Sequence, residues 1–178
     1  IGFGVIAGPV LLVSMGSLAA IQVSILLSFL IALTLSPSTL PKVSKSLLKP
    51  LFIGICVGSP LGAVLFSTLS IEALKVLAAI AVGIMSIIST GILARYPLFT
   101  NDSRMRRGFA GIISGLLNTT LAMPGPPIAA YTTAIQQDKQ TIRATTLVAF
   151  LLAYPVALAM QLGTVGLSKE ALPMCTAL

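Results

Sequence analysis

The sequence predicts an all-α, polytopic membrane protein with two related halves, each beginning with a helix broken by glycine and proline. Three observations predict it. First, 56% of the 178 residues are hydrophobic and only 8% are charged, whereas a soluble domain carries about 25% charged residues. Second, apolar segments close to the roughly 20 residues of a membrane span recur along the chain. Third, two short apolar segments carry Gly-Pro interruptions, Gly8-Pro9 and Gly125-Pro126-Pro127, each followed by a complete apolar span.

Ile1 to Met15 is a short segment with its own break. Ala19 to Leu40 carries no charge and meets prolines at Pro37 and Pro41. Leu47 to Leu69 follows a loop with Lys42, Lys45 and Lys49. Ile71 to Ala94 carries only Glu72 and Lys75, both at its start. Gly108 to Ile135 is the second interrupted segment, Thr141 to Leu162 has Arg143 at its start, and Lys169 begins a seventh. The expected organisation is a first repeat over 1–94, a basic and cytoplasmic loop over 95–107, and an incomplete second repeat over 108–178. The chain starts at Ile1 without a targeting sequence and stops soon after a new segment begins, so it is expected to be a piece of a longer protein.

The net charge of +7 does not point to nucleic acid. The basic residues sit in short loops between apolar runs, where the positive-inside rule puts them. There is no His, and the two cysteines, Cys56 and Cys175, lie far apart. No disulfide framework, metal site or cofactor is expected, and Cys56 reads as a small buried side chain. Gly54, Gly58 and Gly62, Gly111 and Gly115, and Ala79 and Gly83 recur every four residues. That spacing lets helix backbones approach closely in lipid, so these residues read as packing positions.

The Pro124-Gly125-Pro126-Pro127 run cannot continue a helix, because proline lacks an N–H and clashes with the preceding turn. Irregular backbone inside a membrane must be buried in protein or line a wet cavity. Paired breaks in two halves point to a transporter's binding site. Gly108 to Leu121 makes about 21 Å of helix and Ile128 to Ile135 about 12 Å, so the segment either crosses or re-enters. Crossing splits the eleven basic residues eight against three; re-entry splits them nine against two, the better distribution.

Proline suits the first position of a helix, and a helix N-terminus attracts anions. Pro9 and Pro126-Pro127 are therefore expected to start two half-helices that face an anion. The free N–H groups would be those of Val10, Leu11 and Leu12 and of Ile128, Ala129 and Ala130. The candidate substrate-binding residues are Gly8, Pro9, Asn118, Thr119, Gly125, Pro126, Pro127, Tyr131 and Arg143. Simpler roles stand beside these. Asn118, Thr119 and Thr120 would cap a helix end, Tyr131 would pack or lie at the interface, and Arg143 would anchor topology. Gln22 and Gln161 read as interfacial. All four acids lie at segment ends or in loops, so no intramembrane carboxylate relay and no catalytic constellation is present, and the chain is not expected to be an enzyme.

Gly108-Phe109-Ala110-Gly111-Ile112-Ile113-Ser114-Gly115, Gly125-Pro126-Pro127-Ile128-Ala129-Ala130-Tyr131 and Arg143-Ala144-Thr145-Thr146 resemble the second-half signature of the TauE/SafE (sulfite exporter) membrane permeases. Gly2-Phe3-Gly4 with Gly8-Pro9 resembles the start of their first half. The resemblance covers essentially the whole chain. It implies two related halves, location in the bacterial inner membrane, and transport of sulfur-containing or small organic anions such as sulfite or sulfoacetate. The family places a Gly-x-Gly-Gly run before the second Gly-Pro; here those positions are Thr120-Leu121-Ala122-Met123-Pro124, and Val5-Ile6-Ala7 replaces glycines in the first half.

The expected function is export of a small anion, with one half rocking against the other. The partners are that anion and the bilayer; self-association into a homo-oligomer is left open. Two alternatives remain: a non-transporting membrane scaffold whose breaks only kink helices, or a permease subunit driven by a separate ATPase. The chain itself has no Gly-x4-Gly-Lys-Ser/Thr loop.

Overall fold

The computed structural model of the chain describes residues 2–37, 39–89, 102–135, 138–164 and 166. Within them lie α1 (Gly2–Met15), α2 (Ala19–Leu35), a 3-10 turn (Leu40–Lys42), α3 (Lys45–Thr68), α4 (Ile71–Ser89), α5 (Arg104–Leu121), α6 (Gly125–Ala134) and α7 (Lys139–Thr164). No strand occurs among the described residues. Arg95, the start of the basic loop, Cys175 and the seventh segment from Lys169 lie outside them.

The helices form where the apolar runs are. α3 has 24 residues and α7 has 26, both long and apolar enough to cross a membrane. α2 has 17, which is about 26 Å of helix against a hydrocarbon core of about 30 Å. α2 ends at Leu35, and Ser36 still has helical geometry and donates its N–H to the Ala32 carbonyl; Pro37, with no N–H, cannot extend the ladder.

Side-chain contacts define one basic end of the bundle. Lys42 Nζ donates to Gln140 Oε1 at 2.6 Å, and Ser44 N–H donates to Thr145 Oγ1 at 3.1 Å. Arg107 reaches Ser46 from α5. The starts of α3, α5 and α7 therefore share this end. At the other end, Gln22 near the start of α2 donates to the Gly166 carbonyl beyond α7, at 3.0 Å.

α3 and α5 are parallel and nearly touch backbone to backbone. A Cβ built on Gly54 would strike the Gly108 carbonyl, one on Gly58 the Ile112 carbonyl, and one on Gly62 would lie 2.6 Å from the Leu116 oxygen. The converse holds too: Gly111 faces the Leu51 carbonyl and Gly115 the Ile55 carbonyl. Every one of these glycines is a packing position, as their spacing predicts.

Three expectations are corrected. Gly83 has no atom within 4 Å of an added Cβ, and Ala79 is exposed, so that face of α4 points out of the bundle. Cys56 is exposed on α3, because the glycine stripe, not the cysteine, occupies the inward face. Gly8-Pro9 does not interrupt α1, which runs unbroken through Pro9. A single proline removes one hydrogen bond, and packing can absorb that loss in a membrane helix. Pro126 and Pro127 differ because they occupy the first turn of α6, where the missing N–H groups have no intrahelical partner anyway.

The glycine contacts give a direct test. Gly58→Ala should destabilise the protein by about 1–3 kcal/mol, because the methyl forces α3 and α5 apart. Gly83→Ala should be neutral or stabilising by up to about 1 kcal/mol, since it only removes glycine's entropy cost in open space. Thermal unfolding in detergent compares the two; an equal loss from both would refute the close-approach account.

Candidate functional site

α5 ends at Leu121 because Ala122 takes a left-handed conformation, with φ of 59°. Ala122 N–H donates to the Asn118 carbonyl at 2.8 Å and Met123 N–H to the Leu117 carbonyl at 3.3 Å, closing the helix end. A left-handed residue at a helix terminus is usually glycine. Here alanine holds it, within the stretch where the resembling permeases carry glycines. Pro124 follows, and α6 begins at Gly125. Ser114 Oγ donates to the Pro124 carbonyl at 2.6 Å, so the chain has doubled back alongside α5.

The break is buried throughout: every residue from Asn118 to Pro126 is inside the bundle. Its polar groups are held by α7, by α3 and by the preceding turn of α5 itself. Asn118 Nδ2 donates to the Ala153 carbonyl of α7 at 2.9 Å. Gln161 Nε2, also from α7, donates to the Thr119 carbonyl at 2.5 Å. Thr119 Oγ1 donates to the Gly115 carbonyl at 3.0 Å. Thr120 Oγ1 donates to the Leu116 carbonyl at 2.7 Å and lies 3.4 Å from the Gly62 carbonyl of α3. From α1, Gly8 abuts the break: an added Cβ would sit 2.7 Å from the Leu121 oxygen, 3.6 Å from Ser24 Oγ and 3.8 Å from Met123 Cγ.

Three buried side-chain oxygens of the residues around the break have no hydrogen-bond partner: Ser24 Oγ, Asn118 Oδ1 and Gln161 Oε1. No Asp, Glu, Lys or Arg is buried among the described residues. A ligand here would meet hydroxyls, amides and the positive end of α6, with no fixed charge.

That positive end differs from the expected pair. Since α1 is continuous, Val10, Leu11 and Leu12 spend their N–H groups within the helix. α6 already starts at Gly125, so Ile128 and Ala129 likewise donate to the carbonyls four residues back. Prolines at 124, 126 and 127 leave Gly125 as the one free N–H donor of the first turn. A single helix end, not two facing ends, occupies the centre.

The remaining predicted residues go elsewhere. Pro9 is half-buried beside Gly8. Pro127 and Tyr131 line a groove of about 810 Å³ on the outer side of α5, with Phe109 and Ile113. Arg143 is exposed near the start of α7. Gln22 and Gln161, expected at the interface, are both buried and engaged with backbone carbonyls.

The sequence reading missed a network at the basic end. Tyr131 donates its hydroxyl proton to Asp102. Arg107 Nε donates to the same carboxylate at 2.8 Å, and its Nη2 completes a two-pronged ion pair. Arg107 Nη1 also donates to the Ser46 carbonyl and hydroxyl, both at 2.7 Å. Three helices are thus joined: α6 through Tyr131, α5 through Arg107 and α3 through Ser46. Hydrogen bonding from Arg107 holds the Asp102 carboxyl below its ordinary value, with Tyr131 adding to the effect. The only sequence signal was an acid five residues before Arg107; Tyr131 is distant in sequence.

A family model described as Sulfite exporter TauE/SafE matches residues 1–178, and the chain belongs to that family. Its membership makes it a membrane transport protein, to which the apolar helices conform. No curated protein and no solved structure matches the chain.

The network predicts an acid-sensitive joint. Because folding lowers the Asp102 pKa, its contribution to stability is complete above the unfolded value of 3.8 and disappears as pH falls through the folded value. Melting temperature should therefore drop on acidification below about pH 4, and Asp102→Asn should flatten that drop while lowering stability at neutral pH. A variant with the wild-type acid profile would refute the assignment.

Proposed function

We propose that this member of the sulfite exporter family carries a small sulfur-containing or organic anion outward across the inner membrane, binding it at the break between α5 and α6. One observation carries the reading. A non-helical turn lies in the interior, headed by the positive end of α6, beside buried oxygens of Ser24 and Asn118 that lack partners. Lipid forbids such backbone unless protein or a cavity surrounds it, and helix N-termini bind oxyanions through dipole and N–H groups. The Ser24 hydroxyl and Gly125 N–H would donate to the anion. Asn118 Oδ1, which only accepts, would hold a protonated oxygen or a water of the anion's shell.

The remaining candidates fit this reading in graded fashion. Gly8 and Pro9 would form the opposite wall, and Thr119 would keep the end of α5 in place. Pro126 and Pro127 would orient α6. Tyr131 and Arg143 would act at the basic, cytoplasmic end, Tyr131 by holding α6 shut and Arg143 by attracting the anion. The contacts at that end support a re-entrant hairpin: α5 starts there, and α6 returns there through Tyr131. Between Gly8 and Met15, α1 leads from the break towards the opposite end, as an inverted second copy of α6 would. That opposition supports two related halves, 1–94 and 108–178, joined by the basic loop over 95–107.

In this reading the buried break is an occluded state. Opening to the cytoplasm requires α6 to part from Asp102; opening outward requires α1 to move from Leu121. The absence of buried ionisable side chains among the described residues means that no fixed charge has to be neutralised while the site changes access.

Two measurements test the proposal. Gly125→Leu should abolish sulfite or sulfoacetate flux in proteoliposomes while the protein still folds, and unchanged flux would move the site elsewhere. A true substrate should also raise the melting temperature of the wild-type protein, because ligand binding stabilises the folded state by mass action. Failure of every small anion to do so would favour the scaffold alternative.

A further inference from the structure

A second hollow, of about 410 Å³, opens at the basic end between the first turns of α3 and α5. Lys45, Ser46 and Lys49 of α3 and Arg104 of α5 line it, with Pro50, Ile53 and Gly108 at its base. No carboxylate lines it. Asp102, two residues from Arg104, is engaged by Arg107 and Tyr131.

The cations here oppose ordinary helix electrostatics. A helix N-terminus carries about half a positive charge and favours acids in its first turn. Neither α3 nor α5 has an acid there, and Ser44 makes no side-chain cap on α3. Ser103 caps the start of α5 by accepting from the Arg106 N–H at 3.3 Å, so the uncapped end of α3 and three cationic side chains converge on one hollow, an arrangement that an anion would relieve.

The hollow also continues into an apolar surface. Ile53 at its base is 65% exposed, and Val57, Leu61 and Val64 extend the exposed strip along α3. A soluble anion would have no use for that strip, whereas an acyl chain would lie along it. Basic pockets between membrane helices on the cytoplasmic side suit anionic lipid head groups.

We infer that this hollow holds the phosphate of an anionic phospholipid, with its acyl chain along the outer face of α3. The inference rests on the membrane residence of the preceding reading, though not on its substrate site. The lipid would bridge α3 and α5 beside Ser46, where the Tyr131–Asp102–Arg107 network is anchored.

Native mass spectrometry of the delipidated full chain tests this, using phosphatidylglycerol against phosphatidylcholine with identical chains. The wild type should retain phosphatidylglycerol selectively. Lys45→Gln with Lys49→Gln should weaken that retention by about 25-fold, since each basic residue near an anionic head group contributes about fivefold. Lys42→Gln with Lys139→Gln, which removes equal charge at the same end, should leave it unchanged, and inorganic phosphate should not displace the lipid. Equal losses from both pairs, no loss from the first pair, or displacement by inorganic phosphate would each overturn the inference. Matching melting temperatures would show that the variants fold. Gly125→Leu should keep the lipid while losing flux, so the two proposals fail separately.

Discussion

Among the described residues, the glycine contacts bring the backbones of α3 and α5 together, and the rest of the described architecture is arranged around that approach. Helices in lipid gain nothing from excluding water, so they associate through packing that only small residues allow. Gly54, Gly58 and Gly62 present bare backbone to Gly108, Ile112 and Leu116, and Gly111 and Gly115 return the contact against Leu51 and Ile55. Reciprocal contact over three turns fixes the register of two parallel helices. It also fixes the depth at which α5 can end. Gly62 is the last glycine of the stripe, and its carbonyl lies beside Thr120 just before the turn.

Past that point the chain abandons helical geometry inside the bundle, and its neighbours take over its polar groups. Asn118 and Gln161 bind carbonyls across the α5–α7 contact, and Ser114 binds the Pro124 carbonyl. The turn is kept in place from the outside as well. Tyr131 at the far part of α6 is tied through Asp102 to Arg107. A hairpin fixed at its tip by α7 and at its mouth by an ion pair is stable as a unit, yet movable if either attachment yields. The mouth is the exposed attachment, with half-exposed charges, and such pairs contribute little individually.

Much of this was legible in local pattern. Apolar runs delimited the helices, and glycine spacing identified the α3–α5 interface, because both depend on residues close in sequence. The proline run located the buried turn for the same reason. Other readings failed where the deciding partner is remote. Gly8-Pro9 looked like Gly125-Pro126, but position within the helix separates them: mid-helix in α1 and first turn in α6. Gln161 looked interfacial by its place near the end of a segment, yet the carbonyl it serves lies on α5. Ala79 and Gly83 have the same spacing as the interface glycines, yet no helix of the described chain covers them.

The sequence by itself determined that the chain is helical and belongs in a bilayer, where its backbone must break, and which helix face carries small residues. Those follow from transfer energies, proline chemistry and side-chain size, all of which act locally. Only the tertiary structure decided that one helix end rather than two heads the central turn. It also decided that Tyr131 serves Asp102. These depend on which groups are adjacent across the bundle, and in lipid that adjacency is set by backbone-to-backbone fit, which one-dimensional spacing can suggest but not assign.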